Sequence, residues 1–155
     1  MIGVTTGCRL GTLQDQKFNA LSLSIRGEAM EQSRGLQIFG LRNPEVATLM
    51  RRALEAESRG DFQRALTVLN EAQLIEPKAP DILQQKAEVS IELGHWNRAK
   101  TYVEQSIELG PRLGHLCQRN WRALAIVLRQ MEEYPKADKA AARVPLCVRD
   151  HPARF

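Results

Sequence analysis

Cys117 and Cys147, with His115 two residues before the first and His151 four after the second, carry the ligand types that could do chemistry in this chain of 155 residues. His-x-Cys and Cys-x-x-x-His together offer the donors of a tetrahedral zinc site, although the spacing matches no usual zinc motif. A disulfide between the two cysteines is a second reading, adding about 2–4 kcal/mol in an oxidising compartment. Two reduced, half-buried thiols are the third, and the residues alone leave all three open. Catalytic signatures are missing: there is no Gly-rich phosphate loop, no His-Glu-x-x-His and no Gly-x-Ser-x-Gly. His95 falls in a turn, and the carboxylates lie mostly on exposed helical faces. We therefore expect no enzyme and no cofactor.

The elements that must position these residues are read from an internal repeat, the first pattern to seek in a chain of this kind. Arg59-Gly60-Asp61-Phe62-Gln63-Arg64-Ala65 aligns with Leu93-Gly94-His95-Trp96-Asn97-Arg98-Ala99, each pair 34 residues apart. The same step carries Glu76-Pro77 onto Gly110-Pro111. A weaker third copy follows at Glu133-Tyr134-Pro135-Lys136-Ala137, 38 residues after its counterpart. The four extra residues are expected in a loop around Gly114 to Cys117, and Glu132 stands where the turn glycine should be.

Each copy reads as two helices. Asn43-Pro44 is a start signal, since Asn accepts a first-turn amide and Pro costs nothing at the first helical position. Val46, Leu49, Met50, Ala53, Leu54 and Ala56 then mark an apolar face at spacings of three and four. Phe62, Ala65, Leu66, Leu69, Ala72 and Leu74 mark the next, ended by Pro77 and Pro80. Ile82 to Leu93, Trp96 to Leu109, Cys117 to Met131 and Pro135 to Arg143 continue the scheme. Ala53, Ala65, Ala72, Ala87, Ala99, Ser106, Ala125 and Ala137 are expected where helix axes cross closely. A single hairpin cannot bury its apolar face alone, so the copies must stack.

This pattern resembles the tetratricopeptide repeat over roughly residues 44–150, strongly in two copies and less so in the third. The resemblance implies an all-α chain of three stacked antiparallel helical hairpins in a right-handed superhelix. The repeats run at about 46–79, 80–113 and 118–150, preceded by an extended or disordered arm over 1–43 and followed by a tail at 151–155. It also implies a scaffold that binds a peptide or protein partner in a groove lined by the first helices. The residues expected to face it are Ala47, Met50, Leu54 and Glu57, then Asp81, Gln84, Glu88, Ile91 and Glu92, then Arg119, Arg122, Ile126 and Arg129. Chaperone-binding domains of the family hold a carboxylate with a Lys and an Asn in the first repeat; Met50 and Leu54 stand in the matching places, so that clamp is absent. The three arginines either grip an acidic ligand, as Arg's planar fork allows, or pair with Asp81, Glu88 and Glu92 on the neighbouring helix.

Charge and the ends of the chain add further expectations. Net charge is +2 over residues 1–43, −2 over 44–113 and +4 over 114–155, so a basic C-terminal end offers a less favoured nucleic-acid reading. Few aromatics accompany the arginines, which argues against base stacking. In the arm, Leu21, Leu23 and Ile25 alternate and Leu36-Gln37-Ile38-Phe39 is apolar, suggesting extended pieces; an arm docked in its own groove would be autoinhibitory. The apolar flank of the third copy must be covered by Leu146 and Val148, by the arm, or by another chain in a homodimer. As written the chain reads as cytoplasmic. Thr5-Thr6-Gly7-Cys8, however, looks like the end of a bacterial lipoprotein signal. A start further upstream would make Cys8 a lipid anchor and the protein a periplasmic or outer-membrane lipoprotein.

Overall fold

The computed structural model describes residues 21, 24–27 and 42–148. Six helices follow one another: α1 (Pro44–Ser58), α2 (Phe62–Ile75), α3 (Pro80–Glu92), α4 (Trp96–Leu109), α5 (His115–Gln130) and α6 (Tyr134–Ala141). A short 3-10 turn (Pro145–Cys147) closes the described chain, and no strand occurs among the described residues. Each helix packs on the next, and α3 also packs on α5, so the hairpins stack in sequence order.

The turns explain why the copies are alike. Gly60 and Gly94 adopt φ of +75° and +69°, the left-handed region where glycine carries no Cβ penalty. Around them the hydrogen bonds match: Asp61 N donates to Ala56 O at 2.9 Å, and His95 N to Ser90 O at 2.8 Å. These bonds satisfy carbonyls that the last helical turn leaves unpaired. Glu132 takes φ +61°, and Glu133 N donates to Leu128 O at 2.8 Å. The third copy thus makes the same bend with a residue unsuited to it, which fixes its register.

Starts are less uniform. Asn43 Oδ1 accepts from Glu45 N at 2.9 Å with Pro44 behind it, and Asp61 accepts from Arg64 N at 3.1 Å. The caps of α3, α4, α5 and α6 make no such side-chain bond. The four extra residues of the third copy do not all enter a loop. Helix α5 has 16 residues against 13 for α3, so most of the extra length enters the helix.

All eight small residues expected at crossings are buried. Two clusters form the core: one joins α1, α2 and α3 around Leu49, Leu69 and Val89, the other joins α3, α4, α5 and α6 around Ile91, Val103 and Val127. Leu74 is a correction, since it is 83% exposed. It follows Ala72 by two positions, which turns it to the opposite side of the helix. Leu54, also counted as face, is 47% exposed. Leu146 and Val148 are exposed as well and do not cover the third hairpin; Cys147 does, with 1% exposure.

Candidate functional site

Helix α3 is buried along its length from Ile82 to Glu92, polar residues included. A polar side chain in that position needs a partner, and most have one. Gln85 Nε2 donates to Glu57 Oε1 on α1 at 2.6 Å. Lys86 reaches Gln73 on α2 and lies 4.3 Å from the Tyr102 ring centroid on α4. Glu88, with no exposed side-chain surface, accepts from Arg119 Nε and Nη2 on α5 at 2.9 and 2.8 Å and from Gln84 Nε2 at 3.0 Å. The first helices of the three hairpins are thereby laced into one face.

That face is already occupied. Residues 24–27 form a helical turn; Ile25 is fully buried in the cluster that contains Ala87, Ile91 and Ala123, and Leu21 packs beside it. Leu21 and Ile25 are four apart, so one side of a helix presents both. Here the extended reading of the alternation fails: one apolar face makes a helix the better fit, while Leu23 lies outside the described residues. Arg26 then bridges two carboxylates, with Nη2 2.7 Å from Glu57 Oε2 and Nε 2.5 Å from Glu88 Oε2.

The electrostatics follow from this arrangement. Burial alone would raise the Glu88 carboxyl, but Arg119 and Arg26 outweigh it and hold it below the ordinary range. For Arg26, burial opposes the charge while Glu88 and Glu57 more than restore it, so its pKa is raised. His115, at the start of α5, is held below its ordinary value by burial first and by the Arg119 guanidinium second. Two acceptors nearby remain without a hydrogen-bond donor, Gln84 Oε1 and Gln118 Oε1, on side chains 0% and 1% exposed. Each such buried acceptor costs about 1–3 kcal/mol.

The expected groove residues therefore separate. Glu57, Gln84, Glu88 and Ile91 are brought together but covered; Met50, Arg119, Arg122 and Ile126 are half-buried; Ala47, Leu54 and Arg129 are exposed. Arg119 pairs with Glu88 as one of the two readings required. Arg129 pairs instead with Asp138 on α6 at 3.1 Å, and Asp81 with Arg42 at 2.5 Å. Sequence reasoning missed Ile25 and Arg26 as members of the site. The signal available was the i, i+4 spacing of Leu21 and Ile25.

Three equivalent left-handed bends and one stacked order of helices decide the architecture. The fold is tetratricopeptide-like. Among solved structures, the globular C-terminal domain of LpoP from P. aeruginosa matches this tetratricopeptide-like chain with TM-score 0.63 and 20% identity, covering 68% of it and 99% of the LpoP chain. A point mutant of MamA matches with TM-score 0.59 and 15% identity, covering 92% of this chain and 88% of the MamA chain. No family model and no curated protein matches the sequence.

At the far end of the tetratricopeptide-like stack, the Cys117 and Cys147 sulfurs stand at bonding distance, 1.94 Å, with Cα atoms 5.7 Å apart. Both side chains are buried, Gly114 N donates to Cys147 O at 2.7 Å, and Arg143 lies over the Trp121 ring at 5.7 Å. Of the zinc reading, His151 lies outside the described residues, as does Cys8 of the lipid-anchor reading. No group of three or more His, Cys, Asp or Glu able to hold a metal occurs among the described residues, and none of their helices is long and apolar enough to cross a membrane.

Proposed function

We propose that this chain is a protein-interaction scaffold without catalytic chemistry, and that the face lined by α1, α3 and α5 receives a short peptide or protein segment. The observation that carries the reading is the turn at 24–27, a peptide-sized element seated there with its apolar residue buried and its arginine bridged. Helical segments laid into a groove by an apolar anchor are a recurrent recognition mode. The test is crosslinking and co-purification from the native source, repeated with Leu54→Arg at the exposed rim and Arg122→Glu on α5. Recovery of a partner should fall for both; unchanged recovery in both cases rules this face out as the binding surface.

A second reading concerns location, and the paired sulfurs favour it. Disulfides persist in oxidising compartments, which suits an envelope protein anchored through Cys8 of a longer precursor. Mass spectrometry of protein extracted under alkylating conditions is the check: Cys117 and Cys147 should resist alkylation and Cys8 should carry lipid. Two alkylated cysteines with an unmodified Cys8 would remove this reading.

A further inference from the structure

The chemistry of the resident turn specifies what displaces it, an inference that rests on the scaffold reading above. Arg26 uses one oxygen from each of two helices, Glu57 Oε2 on α1 and Glu88 Oε2 on α3. The other oxygens are engaged within the repeats, by Gln85 and by Gln84 and Arg119. Lifting the turn away would leave Glu57 Oε2 unpaired and Glu88 Oε2 held by Arg119 Nη2 alone, two oxygens that one planar, forked donor bridges, which suits a guanidinium better than the point charge of an ammonium. Beside them, the cluster that buries Ile25 would open as an apolar floor.

The resident is a poor match in one respect. It leaves the buried acceptor Gln84 Oε1, on the side chain that donates to Glu88, without a donor. We infer that this face is a binding site for a helical segment of another protein carrying an apolar side chain followed directly by an arginine, and that Leu21 with the turn at 24–27 is its built-in competitor. The site is self-masked, and a helix that also brings a donor to Gln84 Oε1 takes it by mass action.

The experiment uses the full chain, native and with Ile25→Asp plus Arg26→Glu, and a fluorescein-labelled peptide of residues 19–28 as probe. Anisotropy titrations at low salt should show the doubly substituted chain binding the probe at least about tenfold more tightly than the native chain, since masking divides apparent affinity by the open fraction. Circular dichroism confirms that both chains are helical. Should the double variant unfold, the native chain with Glu57→Arg serves: it should bind a probe carrying Arg26→Glu better than the unchanged probe. Equal binding to masked and unmasked chains, or equal binding of a probe with Arg26→Lys, overturns the proposal. So does a native dimer in light scattering that Arg26→Glu makes monomeric, which would assign the face to a second copy. Failure here, with partner recovery still sensitive to Leu54→Arg, sinks the ligand class alone; loss of both sinks the scaffold reading with it.

Discussion

The first and third hairpins have the same shape and are held by different means. In the first, the devices are local: Asn43 and Pro44 start α1, Gly60 turns the chain, and Asp61 starts α2. In the third, the local devices are fewer, although Pro135 stands in the first turn of α6. Gly114 and Glu133 cap without side-chain bonds, and Glu132 bears the left-handed bend. What holds that hairpin comes from elsewhere: Glu88 of α3 grips Arg119, Ile25 enters its cluster, and Cys147 returns to Cys117. The lesson is that a faint repeat signature marks a unit whose stability has moved into long-range contacts, not a unit that is weakly formed.

The comparison breaks if the distant contacts prove dispensable. Removing Glu88 leaves Arg119 and Arg26 facing each other without their carboxylate, and losing one member of a buried pair costs about 3–5 kcal/mol. Glu88→Ala should therefore lower urea stability by about that much. Hydrogen exchange should rise in α5 and at 24–27 before it rises in α1 and α2. A uniform rise across all helices would refute the division. Next in size is the sulfur pair. The closed loop spans a separation of 30 residues, so Cys147→Ser, or reduction of the oxidised protein, should cost about 2–4 kcal/mol. Protease sensitivity should then appear first around residues 142–148.

Smaller effects sharpen the contrast between the turns. A Cβ at Gly94 meets no atom within 4 Å, so the penalty of Gly94→Ala is conformational alone, about 1–2 kcal/mol. At the third bend the sign reverses: Glu132→Gly should stabilise by up to about 1 kcal/mol, less what glycine's freedom in the unfolded chain takes back. Two substitutions of the same sign would show that the bends are not equivalent. The smallest effect is in pH. His115 is depressed in the fold, so its contribution is complete above the unfolded value of about 6.5. It is lost as pH falls from there through the lower folded value, because the unfolded chain takes the proton first. His115→Gln should flatten stability across that window, and an unchanged slope would place the acid sensitivity on another group.

Most of the fold was legible because its signals are short-range. The 34-residue step, the turn glycines, the Asn43-Pro44 start and the small residues at crossings each depend on a few neighbours in sequence. The candidate site was legible in part: Glu57, Gln84, Glu88 and Arg119 do converge, and Arg119 meets Glu88. What stayed hidden depends on tertiary contact. The helical turn at 24–27 places Ile25 against helices that begin at Pro44 and beyond, a contact between segments far apart in sequence. Leu74 shows the converse, an apolar side chain left outside because its angular position outranks its hydrophobicity. The pairing of Arg129 with Asp138 was missed because α6 lay closer than the acidic side chains of α3.

The link between Cys117 and Cys147 has a mechanical consequence. Tension applied to the chain beyond residue 147 would pass through the sulfur pair directly into the beginning of α5, bypassing the hairpin between them. A pulling experiment should then find a contour length shorter by the 30-residue separation of the two cysteines, with α5 and α6 silent until a reductant is added. The hairpin with the faintest repeat signature would be the one that force cannot unzip.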